Sequence, residues 1–119
     1  MRTIRSAIVA MILTLAVAVP ALAIAINVSP NLQTGPYGQS ISWTSSWNTG
    51  QGGPYVATLR PDDGSTTKTK TVSGLSTSFS HRYYECRDMT VNPVGQVYDQ
   101  SDFRDSETVT VNVRGGALC

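Results

Sequence analysis

From Ile26 onward apolar residues alternate with polar ones, and no window carries the i, i+3, i+4, i+7 spacing of a helix over three turns. A period of two is the mark of a half-buried strand. In Ser40-Ile-Ser-Trp-Thr44 it puts Ile41 and Trp43 on one side, and in Glu107-Thr-Val-Thr-Val-Asn-Val113 it does the same for Val109, Val111 and Val113. Further strands are predicted at Ile26–Val28, which Pro30 confines to a sheet edge, at Tyr55–Arg60, Thr66–Val72, Gly74–Phe79 and Tyr84–Asn92. Asn48–Pro54 is a loop, because adjacent glycines before a proline cannot hold a strand, and Pro61-Asp-Asp-Gly64 is a turn. The 13 residues from Pro93 to Asp105 are predicted as a long loop. Seven short strands between frequent turns specify an antiparallel β-sandwich.

The core predicted from this pattern comprises Ile41, Trp43, Leu59, Leu75, Tyr84, Val109 and Val111. One segment resists it. Tyr84 and Cys86 are even-numbered and Met89 and Val91 odd, so strict alternation would bury charged residues, and a bulge near Arg87–Asp88 is expected to flip the face.

The first 23 residues are of another kind. Arg2 and Arg5 precede an uncharged apolar run, Pro20 breaks it, and Ala21-Leu-Ala23 offers small residues at the positions a signal peptidase reads. The expected organisation is a signal peptide over 1–23, a sandwich over 24–114 and a tail over 115–119 ending in Cys119. An uncleaved anchor is the alternative. Of the 96 residues after Ala23 only about a third are apolar, while 24 are Ser or Thr, so one thin-cored domain is expected and a multi-domain enzyme is not. The whole chain carries a formal charge of +1, which gives no basis for nucleic-acid binding. The expected location is secreted, extracellular or at the cell surface, with the periplasm as the alternative and no membrane attachment after cleavage.

Several short motifs together resemble a fibronectin type III domain: Ser42-Trp43, Val72-Ser-Gly-Leu75, Tyr84 with Val91-Asn92, and Thr108-Val-Thr-Val-Asn112. Tyr84-x-Cys86 is similar to the tyrosine corner of immunoglobulin-like domains, and bacterial immunoglobulin-like modules, polycystic-kidney-disease-type (PKD) repeats among them, share much of the pattern. The resemblance implies a seven-stranded, immunoglobulin-like sandwich over residues 26–114. An antibody-type inter-sheet disulfide is excluded, since Trp43 stands where the second strand would need a cysteine.

Motifs for catalysis are sparse. The single His, His81, is flanked by Ser80 and Arg82 and reads as a surface residue at a strand end. No Gly-x-Ser-x-Gly elbow or metal-ligand spacing is present, so no enzyme activity and no cofactor are expected. Asp99, Asp102, Asp105 and Glu107 form the one candidate calcium group, but their spacing is not that of an EF-hand and loop solvation is favoured. Asn27-Val-Ser29 is formally a glycosylation acceptor. The Thr/Lys alternation of Thr66–Val72 reads as protection of a sheet edge, with polyanion binding as the alternative.

Where two loops should emerge together, Val94, Val97 and Phe103 are expected to cover the open end of the core, and recognition by the loop residues is the other reading, compatible with it. Trp47, Asn48, Gln51 and Tyr55 belong to the first, and Tyr98, Phe103 and Arg104 to the second. Aromatic side chains there supply rigid contact area and the amides adaptable hydrogen bonds. The expectation is a non-catalytic binding or adhesion module for a protein or glycan. The alternative is a structural coat or filament subunit that self-associates through strand edges or Cys119. Cys86 and Cys119 are expected to pair within the chain, because antiparallel sixth and seventh strands bring the tail beside Cys86 and Gly115-Gly116 lets it fold back. A terminal thiol for linkage to another chain remains open at this point.

Overall fold

The computed structural model describes residues 23–116. The expected signal peptide, apart from Ala23, and Cys119 lie outside the described residues. Among the described residues ten strands build the fold: β1 (Ile26–Ser29), β2 (Leu32–Gly35), β3 (Ser40–Trp47), β4 (Tyr55–Arg60), β5 (Lys68–Val72), β6 (Ser76–Arg82), β7 (Met89–Val91), β8 (Val94–Tyr98), β9 (Arg104–Thr108) and β10 (Thr110–Val113). One layer is β1-β3-β6. The other consists of β2-β10-β7 and β5-β4-β8-β9, which follow one another end to end. The chain passes from β7 to β8 through Asn92-Pro93 and from β9 to β10 through Val109, whose N–H donates to the Pro93 carbonyl at 2.9 Å. All pairings are antiparallel except β2 with β10, which the chain reaches by crossing between layers at Pro30-Asn31.

Strand count and boundaries depart from the expected seven in several places, among them β2, which no expected strand covers, and the break at Val109 that divides the last expected strand between β9 and β10. β3 runs on to Trp47 because Ser45 and Trp47 continue the inward alternation of Ile41 and Trp43. Tyr84 to Asp88 is not a strand at all, so the conflict of phase is resolved by leaving the sheet and no bulge is needed. The expected 13-residue loop is a hairpin, β8 and β9 joined by a short turn. Its inward face carries Gly95 and Val97, and a Cβ at position 95 would lie 2.6 Å from Val28 Cγ2. Glycine there admits β1 against β8.

Trp43, Leu59, Val97 and Val111 are at most 1% exposed at the centre of the core, with Ile41 and Val109 beside them. Two predicted core residues are misplaced. Leu75 is 46% exposed in the turn between β5 and β6, where its carbonyl accepts the Trp47 N–H. Tyr84 is 60% exposed and packs edge-on against Tyr37. The buried tyrosine is its neighbour Tyr83, whose hydroxyl donates to the Pro61 carbonyl at 2.7 Å.

The C-terminal segment turns back as the glycines allow. Gly116 N–H donates to the Glu85 carbonyl at 2.8 Å and Gly115 N–H to Asp88 Oδ1 at 2.9 Å. A Cβ on Gly115 would overlap the Arg87 backbone. Asp88 also meets Arg114 at 3.0 Å, and these two hydrogen bonds hold its carboxyl below the usual range. Cys86 is not a free thiol.

Candidate functional site

The two predicted recognition loops do meet at one end of the sandwich. Asp99 joins them. It is 5% exposed, its Oδ1 accepts the N–H groups of Ser101 and Phe103 at 2.9 and 3.1 Å, and its Oδ2 accepts that of Gln51 at 3.0 Å. The Gln100 N–H adds a bond to the Gly52 carbonyl at 2.9 Å and its side-chain amide one to Gln51 O. A carboxylate that accepts three backbone donors is a positioning group, which is why an acid sits buried at the base of a turn.

Most of the residues expected to contact a ligand serve this scaffold instead. Trp47 and Tyr55 are 6% and 2% exposed and pack on each other with ring centroids 5.6 Å apart. Both are core because they continue strand alternation, Trp47 at the end of β3 and Tyr55 at the start of β4. Asn48 ties down the N-terminal segment, accepting the Ala25 N–H at 2.9 Å and donating to the Ala23 carbonyl at 2.8 Å. What stays exposed is the hairpin tip. Phe103 is 58% exposed, and Arg104 stacks its guanidinium 4.5 Å over the half-buried Tyr98 ring while reaching Asp102 at 3.5 Å.

The acidic group does not gather around a common point. Asp99 is committed as described, Asp105 Oδ2 accepts the Ile26 N–H at 3.0 Å, and Asp102 faces Arg104. Glu107 lies on β9, and no three of the Asp, Glu, His and Cys residues form a metal-holding group among the described residues.

His81 is a further correction. It lies on the inward face of β6 with its side chain only 12% exposed, not at the surface. Its Nε2 meets Asp63 Oδ2 at 2.7 Å, and the Ser65 hydroxyl lies 3.4 Å from the same nitrogen. Ser65 also bonds Asp63 directly through both its hydroxyl and its N–H. A nucleophilic relay needs the serine and the carboxylate on opposite ring nitrogens. Here one nitrogen serves both, so the cluster closes the turn after β4 rather than activating a hydroxyl. Burial alone would raise the Asp63 pKa, but its bonds to Ser65 and His81 outweigh that and hold it below the ordinary 3.8.

With this geometry in view, one solved structure has a similar fold: the PKD domain of an M14-like peptidase from Thermoplasmatales archaeon SCGC AB-540-F20. It superposes with a TM-score of 0.56 at 18% identity, covering 81% of this chain and 97% of that one. The fold is immunoglobulin-like. No protein-family model and no curated protein sequence matches the chain. At this identity the similarity speaks for the sandwich alone, and the site residues stand on the geometry above. The signal that would have separated core from contact was present in the sequence: Ser45-Ser-Trp47 keeps the parity of Ile41 and Trp43.

Proposed function

We propose that this protein is an exported, non-catalytic binding module that presents the β8–β9 hairpin tip to a protein or glycan partner. The single observation that carries the reading is Phe103, a large apolar ring exposed at the apex of a turn fixed by the buried Asp99. A side chain already held in place loses little freedom on binding, and a cation stacked on a neighbouring aromatic supplies the polar half of a contact. PKD-like and other immunoglobulin-type sandwiches are generally non-catalytic, which accords with the His81 geometry. A pull-down from the native surroundings with immobilised protein tests the proposal. Phe103→Ala and Arg104→Ala should each lower capture several-fold while leaving the melting temperature within about 3 °C of wild type. Capture unchanged in both variants would refute it.

The second reading, assembly through a strand edge, is less favoured. The Ile26 N–H on the edge of β1 is already bonded to Asp105, so that edge offers one donor fewer to another chain. We propose that Cys86 pairs with Cys119 in the same chain. Support comes from Gly115 and Gly116 lying against residues 85–88, three residues before the terminal cysteine. Non-reducing electrophoresis should then give a monomer that migrates faster than the reduced form, and a reductant-sensitive dimer would refute the pairing.

A further inference from the structure

Three cations line one side of the molecule without a carboxylate partner among the described residues: Lys68, Lys70 and Arg82. They border two adjoining hollows. One, of about 400 Å³, is bounded by Lys68, Lys70, Ser42, Ser78, Phe79 and Ser80. The other, of about 340 Å³, adds Ser40, Arg82 and Tyr84, with Lys68 and Ser80 common to both. Together they form a trough along β6. Its lining holds no Asp or Glu, and Asp63, which pairs with the trough's His81, is turned into its bonds with that ring and Ser65.

The register explains why the charges collect here. Lys68 and Lys70 pair with Leu59 and Ala57, both 0% exposed, so they stand on the inward face of an edge strand at the open margin of the sandwich. Inward charge on an edge discourages pairing with another chain, yet it also leaves ammonium groups on a concave surface. Lys70 donates to the Ser78 carbonyl and sits 5.1 Å over the Phe79 ring, keeping two of its three donors. Arg82 donates one N–H to the Gly38 carbonyl at 2.7 Å, and no hydrogen bond or ion pair engages the Lys68 ammonium among the described residues. Beside these cations the outer face of β3 and β6 is a hydroxyl array, with Ser42 opposite Ser80, Thr44 opposite Ser78 and Ser40 opposite Arg82.

We propose that this trough is a binding site for an anionic polysaccharide, its sulfate or carboxylate groups set against Lys68, Lys70 and Arg82 and its hydroxyls against the serine rows. Hydroxyl donors and acceptors in two rows match the edge of a sugar chain, and Tyr84 offers a ring face at one end. A nucleic acid fits less well, since the chain as a whole carries only +1 and lacks the broad basic field that phosphate backbones require. The site shares no residue with the hairpin tip, so it stands or falls separately from the function proposed above.

The test is titration of the purified protein against fluorescent dextran sulfate, polygalacturonate, uncharged dextran and a DNA single strand of similar length. Binding to either charged polysaccharide, or to both, and none to dextran is expected, and which of them binds identifies the anionic group. Lys68→Gln/Arg82→Gln should weaken that binding about tenfold or more, and Phe103→Ala should leave it unchanged. Lys70→Gln, read separately, keeps the test standing if the double variant is unstable. Absence of binding to both charged polysaccharides, undiminished affinity in the charge variants, or tighter binding to DNA than to either polysaccharide would overturn the proposal.

Discussion

Replacing Tyr83 by Phe removes one buried hydrogen bond and preserves the ring. The side chain is 1% exposed, and its edge-to-face contact with His81, at 4.7 Å between centroids, does not involve the hydroxyl. Burial, reinforced by the charges of Asp63 and Asp62, holds the phenol far above its ordinary pKa of 10.0, so it is a protonated donor at neutral pH. The variant loses that donor and leaves the buried Pro61 carbonyl unpaired. An ordinary net hydrogen bond contributes about 0.5–1.5 kcal/mol and an orphaned buried polar group costs about 1–3 kcal/mol, so a loss of roughly 1–3 kcal/mol is expected. For a domain of this size that is a fall in melting temperature of roughly 4–24 °C. Tyr84→Phe is the matched control: that side chain is 60% exposed, and its change should stay within about 0.5 kcal/mol. Thermal denaturation of both variants at neutral pH, followed by circular dichroism, reads the difference. An equal effect in the two, or a larger one at Tyr84, would refute the assignment of Tyr83 as the buried donor to Pro61.

Trp47→Ala should destabilise the fold by about 3–5 kcal/mol in denaturant titration, comparably to Trp43→Ala, because both indoles are buried and neither Nε1 has a hydrogen-bond partner among the described residues, leaving packing as the whole effect. Asp63 has a depressed pKa, so its contribution is fully present above the ordinary carboxyl value of 3.8 and is lost as pH falls below it. Asp63→Asn should therefore flatten the acid limb of the melting-temperature profile, and the gap between variant and wild type should narrow as pH falls from about 6 to 2.5. A gap that widened toward acid would reverse the sign of that linkage.

Parity was the legible part of the fold. Ile41, Trp43 and Val111 follow from alternation alone, because each lies within a strand whose neighbours keep the same period, and Val109 keeps that parity at the break between β9 and β10. Errors arose where the chain leaves a sheet. At Tyr83-Tyr84 two adjacent aromatic rings compete for one inward position, and only the tertiary partner Pro61 O decides between them. Pro93 looked like the start of a loop, yet it marks a break of two residues between β7 and β8, and its carbonyl is bridged by Val109 across the sheet. Trp47 looked like a loop residue because the glycines and Pro54 that follow drew the boundary too early, although a long side chain at the last strand position still points inward.

Asp99 illustrates the harder limit, and it bears on how the two proposed surfaces would recognise anything. In the sequence it is one of four acids near a strand, with nothing to separate it from Asp102, which is exposed and faces Arg104. Its burial depends on Gln51, 48 positions away, a relation that no local pattern contains. Because three backbone donors converge on it, the Phe103 turn is organised before any partner arrives, and contact there is mainly apolar area with little ordering cost. The trough is built the other way. Lys68, Lys70 and Arg82 are long side chains with donors to spare, and ordering them costs rotamer freedom that only charge and hydrogen bonding can offset. Salt should accordingly separate the two surfaces: screening weakens attraction in the trough over a Debye length of about 8–10 Å and leaves the burial of Phe103 almost untouched.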